Sequence, residues 1–478
     1  MTATPSLPPV TLTPAQVQAF AEIVGPQHAL TDPDAQLPYV REMRDLYQGR
    51  SSLVLRPGSV EEVSRILATA NAERIPVVPQ SGNTGLVGGQ TPMRGEIVIS
   101  LARLNKVRAV DPVGSTMTVE AGLTLEECQR AAEAAGRLFP LTLPSQGSCR
   151  IGGNIGTNAG GVGVLAYGNT RQLVLGLEVV LADGRVWNGL NALKKDNTGY
   201  DLKDLFIGSE GTLGLVTAAV LKLFPRPAEV ATAMVAIPSI AAARTLFGLA
   251  QDAAGGQLTA FEFMPRIVFD FVLKHAQPAR DPFEVQHPWY VLMEVSGPKA
   301  DGGAERILAE ILEAGMETAG IIDARIAQSL SQARDFWKLR EAVSEAQKPE
   351  GGSIKHDVSV PVARIPEFVE RANAAVTEIC PGARHLAFGH FVDGNVHYNI
   401  AQPIGMGRAA FEALRETIMH RVHTIVTEMA GSISAEHGIG QLKRDELIEF
   451  KSPVALDLMH RIKTAFDPNG ILNPGKVL

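Results

Sequence analysis

His390 and His397 bracket an Asp-Gly pair in Gly389-His390-Phe391-Val392-Asp393-Gly394-Asn395-Val396-His397-Tyr398-Asn399, and Glu436-His437 follows downstream. Asp-Gly between apolar residues predicts a hairpin with a two-residue type I′ loop. With Asp393 and Gly394 as that loop, Val392 pairs with Asn395 and His390 with His397. Cross-strand partners hold their Cβ atoms about 4.5–5.5 Å apart on one face of a sheet. Asn399, two residues beyond His397, shares that face. Two imidazoles side by side plus the Glu436 carboxylate suit a divalent metal with an open position, which leaves His437 to act as a base. The spacing taken alone suits equally well a polar hairpin with two surface histidines.

The elements that must position these residues form two textures. Up to Pro225 and Pro227, short strands and capped helices alternate with three glycine-rich segments. Thr13 to Val24 predicts a helix capped by Thr13 with Pro14 at its first position. Ser59 to Ala72 and Thr124 to Ala135 predict helices, and Ser51 to Pro57, Ile75 to Pro79, Ile97 to Leu101 and Thr116 to Glu120 predict strands. Leu173 to Leu181 with Val186 predicts a hairpin around Asp183-Gly184. Beyond the prolines, Val230–Ile237, Leu258–Met264 and Trp289–Val295 read as strands. Ile240–Gln251, Gly303–Ala314, Arg364–Ile379 and Phe411–Ala430 read as helices. That alternation predicts an α+β chain with helices on a mixed or antiparallel sheet. Its 478 residues call for two domains, placed at 1–226 and 227–478.

The glycine-rich segments run Gln80 to Gly89, Pro144 to Gly161 and Ile207 to Val216. None closes with Gly-Lys-Ser/Thr, and none is a Gly-x-Gly-x-x-Gly opening a helix after a strand. Gly405 to Ala410 matches the form that ends in Ala, Gly-x-Gly-x-x-Ala, before a helix, but Pro403 interrupts its entry. Successive backbone N–H groups in Gly/Ser/Thr/Asn turns form an anion nest suited to a pyrophosphate. Three such turns, each beside a short strand, suit a large nucleotide such as FAD.

Here the chain resembles a family. Val77-Val78-Pro79-Gln80-Ser81-Gly82-Asn83-Thr84-Gly85 is similar to the pyrophosphate loop of the vanillyl-alcohol-oxidase-type (PCMH-type) FAD-binding domain. The second and third segments resemble its other FAD contacts, with Pro144, Ser145, Gly152, Gly153, Asn154, Thr157, Asn158 and Gly161, then Glu210, Gly211, Gly214 and Val216. The later half resembles the FAD-linked oxidase C-terminal domain. Its last stretch, Phe466 to Lys476 in a 466–478 tail, implies a return to the flavin with Asn473 near the cofactor. Relatives that hold FAD covalently use a histidine in the first loop; none stands between Pro79 and Gly89, which implies noncovalent FAD. The family includes D-lactate, glycolate and D-2-hydroxyglutarate dehydrogenases. The resemblance implies a metal, usually zinc, on His390, His397 and Glu436, with His437 as the base that accepts the substrate hydroxyl proton.

A second substrate clue is Phe336-Trp337-Lys338-Leu339-Arg340-Glu341-Ala342-Val343-Ser344. Arg340 and Ser344, four apart, are expected on one helix face. Lys355 lies in an alternating, strand-like stretch, Ser353 to Val360. These three resemble the family's clamp for a second, distal carboxylate, and relatives handling monocarboxylates tend to keep the arginine but not the lysine. Arg grips a carboxylate bidentately and Lys adds a point charge. Asn399 is expected at the substrate's C1 end. The reaction implied is oxidation of a D-2-hydroxy acid, above all D-2-hydroxyglutarate, to the 2-oxo acid. D-lactate or glycolate oxidation is the rival within the family; a zinc hydrolase and a non-catalytic oxidase subunit are rivals from other classes. Reduced flavin needs an acceptor, and the resemblance implies an electron-transfer flavoprotein or a quinone.

Composition sets outer limits. A net charge of −7 gives no reason to expect nucleic acid. Cys128, Cys149 and Cys380 are isolated and lack CxxC spacing, which fits a reducing compartment. The start lacks a basic and apolar signal pattern, and no apolar run is long enough to span a bilayer. A cytoplasmic protein is expected; peripheral membrane attachment and a homodimer are both compatible with the sequence.

Overall fold

The computed structural model describes residues 8–478. The chain divides into two compact units: residues up to Gly160, Asn169–Pro225 and His437–Leu478 form the first, and Gly161–Gly168 with Arg226–Glu436 form the second. The C-terminal segment of the first unit runs from His437 and includes the 466–478 tail, and Gly161 opens a segment of the second.

In the first unit, strands β1 (Ala29–Leu30), β2 (Val54–Leu55), β3 (Val77–Gln80) and β4 (Ile97–Ser100) form a sheet ordered β1-β2-β4-β3. β2 and β3 both run parallel to β4. An antiparallel sheet, β5-β6-β10-β8-β9, takes β5 (Val107–Asp111), β6 (Thr116–Glu120), β8 (Val174–Val180), β9 (Val186–Gly189) and β10 (Leu215–Lys222). β7 (Arg137–Leu138) and β11 (Phe224–Pro225) make a short separate pair. The helices start where the caps predict. Thr13 and Thr124 each close a reciprocal capping box, with Gln16 and Glu127, and Ser59 accepts from the Glu62 N–H. Phe20, Ile66, Leu67, Val77, Ile99 and Leu472 share one buried core.

One predicted strand here is shorter than expected, and the third glycine-rich segment enters a strand only at its end. Ser51 to Pro57 pairs as a strand only over Val54–Leu55. The Ser51 hydroxyl accepts from the Leu53 N–H and donates to the Glu96 carbonyl, so a side chain takes up backbone groups on both strands at this end. In Ile207–Val216 the strand begins only at Leu215, because Gly208, Glu210 and Gly211 take φ of 81°, 51° and 72°, outside any strand conformation.

The second unit is built on a seven-stranded sheet ordered β15-β12-β14-β13-β17-β18-β16, every pair antiparallel. Its strands are β12 (Glu229–Ile237), β13 (Leu258–Pro265), β14 (Trp289–Gly297), β15 (Asp323–Ile326), β16 (Ser353–Ser359), β17 (Arg384–His390) and β18 (Asn395–Ala401). Met234, Phe269, Tyr290, Leu292, Phe336 and Phe388 belong to one buried core. Phe411–Ala430, expected as one helix, is two, Arg408–Glu412 and Arg415–Glu428. They are joined by an i→i−3 bond from the Leu414 N–H to the Phe411 carbonyl.

The histidine hairpin differs from the two-residue loop. Phe391–Asp393 is a turn of 3₁₀ helix, with Gly394 alone left-handed at φ 81°. Phe391 is fully buried, with ring centroids 5.6, 5.9 and 5.7 Å from Phe247, Phe261 and Phe263. Burying that ring draws the chain inward before it turns, and a Cβ on Gly394 would lie 2.0 Å from the Val360 carbonyl oxygen. Phe388, not His390, therefore stands opposite His397. A displacement of two residues keeps the face, because side chains alternate with period 2. His390 and His397 become diagonal neighbours on the same side, with ring centroids 5.5 Å apart.

Candidate active site

One face of the seven-stranded sheet, at its β13-β17-β18-β16 end, carries the first group of candidates. Four strands contribute to it. β13 brings Glu262 opposite His390 of β17. β16 brings Asp357 opposite His397 and Lys355 opposite Asn399, both on β18. Glu436 arrives on the segment after Ser432. That residue exchanges two backbone bonds with Ser359, at 3.0 and 2.8 Å, and the Glu436 N–H then donates to Asp357 Oδ2 at 2.9 Å. One ligand atom from each of His390, His397 and Glu436 falls within a common 4.8 Å.

Each of these positions has a visible cause. Glu262 is completely buried; its Oε1 is 2.6 Å from His390 Nδ1 and its Oε2 is 2.8 Å from Arg340 Nε. Burial works to raise the Glu262 carboxyl, but His390 and Arg340 outweigh it and hold it below its ordinary value. An ionised carboxylate only accepts, so His390 Nδ1 carries a proton and Nε2 is the ring nitrogen left to face the other way, the one that holds the lone pair whenever the ring is neutral. That Nε2 lies 3.6 Å from Glu436 Oε1. Burial works to lower the His390 imidazolium, and Glu262, helped by Glu436, overrides it and lifts it to about 9. Burial raises the Glu436 carboxyl against the opposing pull of His390, with Asp357 and Asp393 adding to the rise. Asp357 Oδ1 accepts from Asn395 Nδ2 at 3.0 Å and lies 3.8 Å from His397 Nδ1.

The donor set fits a borderline divalent cation. Two imidazole nitrogens and a carboxylate converge, each imidazole has a carboxylate behind its Nδ1, and Glu436 Oε1 is buried without a hydrogen-bond partner. The substrate candidates fare unevenly. Lys355 and Asn399 share the histidine face, while Asn399 Nδ2 already donates to Gln347 Oε1 at 3.0 Å. Arg340 has its Nε on Glu262, with its guanidinium 5.0 Å from the centre of the Phe388 ring. Ser344 does not continue Arg340's helix. Leu330–Glu341 ends there, and Ser344 sits exposed in the next short helix, Val343–Ala346.

Sequence reading missed Glu262, Asp357 and Gln347. A signal existed for the first: Leu258 to Met264 is an apolar strand with one carboxylate in its middle, and such a residue is almost never buried unpaired.

The second group lies in the first unit. β3 leads into the loop that starts at Ser81, and the N–H groups of Gly82, Asn83, Thr84, Gly85 and Leu86 find no acceptor among the described residues. The loop is held from behind. Gln80 Nε2 donates to the Tyr39 carbonyl at 2.8 Å, Ser81 Oγ to the Ala121 carbonyl at 3.0 Å, and Asn83 Nδ2 to the Pro38 and Arg41 carbonyls at 2.8 and 3.0 Å. Pro79 contributes packing, since a Cβ on Gly211 would lie 2.3 Å from its Cγ. Ser145 uses its carbonyl to hold Ser148 and Cys149, Thr157 Oγ1 donates to the Gly153 carbonyl, and Asn158 Oδ1 caps the Arg171 N–H. Gly152 is held small by Ala121, and Gly214 by Val179, with which Val216 makes ladder pairs.

Asn473 ties these segments together. Its N–H donates to the Val77 carbonyl at 2.8 Å, and its Nδ2 to the carbonyls of Gly89 and Glu210 at 3.0 and 2.8 Å. Its Oδ1, like that of Asn154, is buried without a donor. A row of unpaired N–H groups and two unpaired acceptors fit a nucleotide that offers a pyrophosphate and ring donors. Glu210 accepts from the Ile439 and Gly440 N–H groups at 2.7 and 2.9 Å; it anchors the loop that begins with His437.

No helix among the described residues is long and apolar enough to cross a membrane. Residues 226–477 match the family described as FAD linked oxidases, C-terminal domain, and residues 51–189 match the FAD binding domain. A probable mitochondrial D-2-hydroxyglutarate dehydrogenase of Oryza sativa subsp. indica is 40% identical over 97% of this chain and 81% of its own length. The D-2-hydroxyglutarate dehydrogenase of Rattus norvegicus is 39% identical over 99% and 86%, and that of Xanthomonas citri pv. viticola 38% over 98% and 97%. Among solved structures, p-cresol methylhydroxylase superposes with a TM-score of 0.75 at 19% identity, covering 98% of both chains; it speaks for the fold alone. Two matched domains and relatives of this identity along nearly the whole length leave one conclusion: the chain belongs to the FAD-linked oxidase family.

Proposed function

We propose that the protein oxidises a D-2-hydroxy acid bearing a second carboxylate, D-2-hydroxyglutarate above all, to the 2-oxo acid, using noncovalent FAD and a divalent metal, zinc by its donor set. The observation that carries this reading is Lys355, beside Asn399 on the same sheet face as His390 and His397. A cation there suits a dicarboxylate and is of no use to D-lactate or glycolate. The relatives' names point to the same substrate.

When bound, FAD supplies a two-electron acceptor and the metal a positive charge that acidifies a hydroxyl. This chain's residues do the rest. His390, His397 and Glu436 would hold the metal. Lys355 binds the distal carboxylate, joined by Arg340 through the Nη edge left by its Nε bond to Glu262. Ser344 extends that clamp from the following helix, and Asn399 orients the C1 end. His437, joined to Glu436 by a peptide bond, takes the hydroxyl proton on its imidazole. The cofactor bed is the Pro79–Gly85 loop with Pro144, Ser145, Gly152, Gly153, Asn154, Thr157, Asn158, Gly161, Glu210, Gly211, Gly214, Val216 and Asn473. The acceptor is an electron-transfer flavoprotein or a quinone, and the setting cytoplasmic.

The test is a substrate panel with a dye acceptor: D-2-hydroxyglutarate, D-lactate, D-malate and glycolate. The highest kcat/KM should go to D-2-hydroxyglutarate, and acid precipitation should release the yellow colour. A preference for D-lactate overturns the substrate, and colour retained on the denatured chain overturns noncovalent FAD.

A further inference from the structure

Glu262 belongs to neither the metal's ligand set nor the substrate clamp, yet it touches one member of each. It sits in the middle of β13, a strand otherwise made of apolar side chains and Thr259, and is 0% exposed. A carboxylate in such a place is retained only when its partners repay its desolvation. Its two oxygens are divided: Oε1 on His390 Nδ1 at 2.6 Å, Oε2 on Arg340 Nε at 2.8 Å. Both partners are themselves constrained. His390 is 4% exposed and paired through its backbone to Glu262 itself, and Arg340 lies over the Phe388 ring.

We infer that Glu262 is a positioning residue that sets the metal ligand and the substrate-binding arginine from one fixed carboxylate, so that the metal site and the distal-carboxylate clamp are mechanically one unit. The inference rests on the proposed metal and clamp and goes beyond them. Because one oxygen takes Nδ1–H, Nε2 is the nitrogen that must face Glu436. Because the other takes Nε–H, the guanidinium plane cannot rotate about its stem, and its Nη edge keeps one orientation for an incoming carboxylate. Arg340 therefore influences metal binding without being a ligand, and His390's support influences substrate affinity without touching substrate.

Glu262→Gln tests this. Whichever way the amide is turned, its NH₂ group faces an N–H donor, of His390 or of Arg340. Zinc affinity of the purified flavoprotein, measured by competition with a chromophoric chelator, should fall about 10- to 100-fold, the usual cost of losing a ligand's supporting carboxylate. With zinc held saturating, KM for D-2-hydroxyglutarate should rise more than tenfold while kcat changes little, and KM for D-lactate should move far less. FAD content and far-ultraviolet circular dichroism should match the wild type. Arg340→Gln provides the second arm if Glu262→Gln does not fold: zinc affinity should drop several-fold although no ligand is altered. Unchanged zinc affinity in both variants, with the wild type binding zinc, overturns the inference and leaves the proposed function standing. A wild-type protein that takes up no zinc overturns both.

Discussion

The two candidate regions are made of different material. On the second unit's sheet, every functional group is a side chain, and its place is set by strand register: Glu262 opposite His390, Asp357 opposite His397, Lys355 opposite Asn399. In the first unit the side chains mostly serve the protein. Gln80, Ser81 and Asn83 donate to backbone carbonyls of their own unit, and what is left over is backbone N–H groups and two amide oxygens. The sheet face offers charge and specific ligands, and the loops offer a shaped, hydrogen-bonding bed. Single side-chain changes should therefore disable the first and leave the second intact. The bed should be sensitive instead to added bulk and to backbone strain.

The most drastic separation is metal removal. Exhaustive chelation should abolish turnover while the flavin absorbance stays with the protein, and zinc or manganese should restore activity. Loss of flavin together with metal would break the comparison, and full activity with no metal by elemental analysis would end the metal's part in it. His437→Ala comes next. It should lower kcat by about 10²–10⁴, as for a lost positioned base, with metal and FAD contents unchanged; a change in KM alone would remove His437 from the proton step.

The contrast also explains what could be read in the sequence. Helix starts were legible at Thr13, Ser59 and Thr124 because capping is local chemistry written in three or four adjacent residues. The shared face of His390, His397 and Asn399 was legible because strand alternation survives a displacement of two. The register itself was not, because it depends on Phe391 entering a cluster with Phe247, Phe261 and Phe263, residues far away in the chain. Glu262 was missed for a related reason: a strand's own sequence does not reveal which neighbour lies beside it. In the first unit the glycine segments stood out, but their glycines serve several ends. Gly214 is small because Val179 and Phe206 press on it, a packing demand that no local pattern distinguishes from a cofactor's.

Lys355→Met sharpens the sheet-face half of the comparison. A charge-assisted bond to a carboxylate contributes about 1.5–3 kcal/mol, so KM for D-2-hydroxyglutarate should rise by roughly one to two powers of ten. KM for D-lactate, which has no second carboxylate, should barely move. Equal losses on both acids would mean that Lys355 supports the sheet rather than the substrate. Gly211→Ala probes the loop half. The residue has φ 72°, and a Cβ would lie 2.3 Å from Pro79 Cγ. Left-handed strain and overpacking together should cost about 2–4 kcal/mol and weaken FAD retention, with zinc affinity preserved. An unchanged melting temperature would show that the bed yields more readily than its packing suggests.

The smallest effect concerns Glu210, the carboxylate that anchors the loop beginning with His437. Burial raises its carboxyl from an ordinary 4.5 to about 7, against the Ile439 and Gly440 N–H bonds and the Lys443 charge, which favour the ionised form. A folded-state value above the unfolded one means that the folded protein holds a proton that the unfolded chain releases. The associated stability is complete below about pH 4.5, falls as the pH rises toward 7, and is gone above it. Glu210→Gln cannot titrate. Its melting temperature, measured with FAD bound, should therefore decline less than that of the wild type between pH 5 and pH 7.5, so the gap between the two proteins moves in the variant's favour as pH rises. Parallel profiles across that window would mean that the two backbone bonds outweigh burial and keep Glu210 ionised. In that case this part of the first unit would also depend on a fixed charge, and the contrast with the sheet face would narrow.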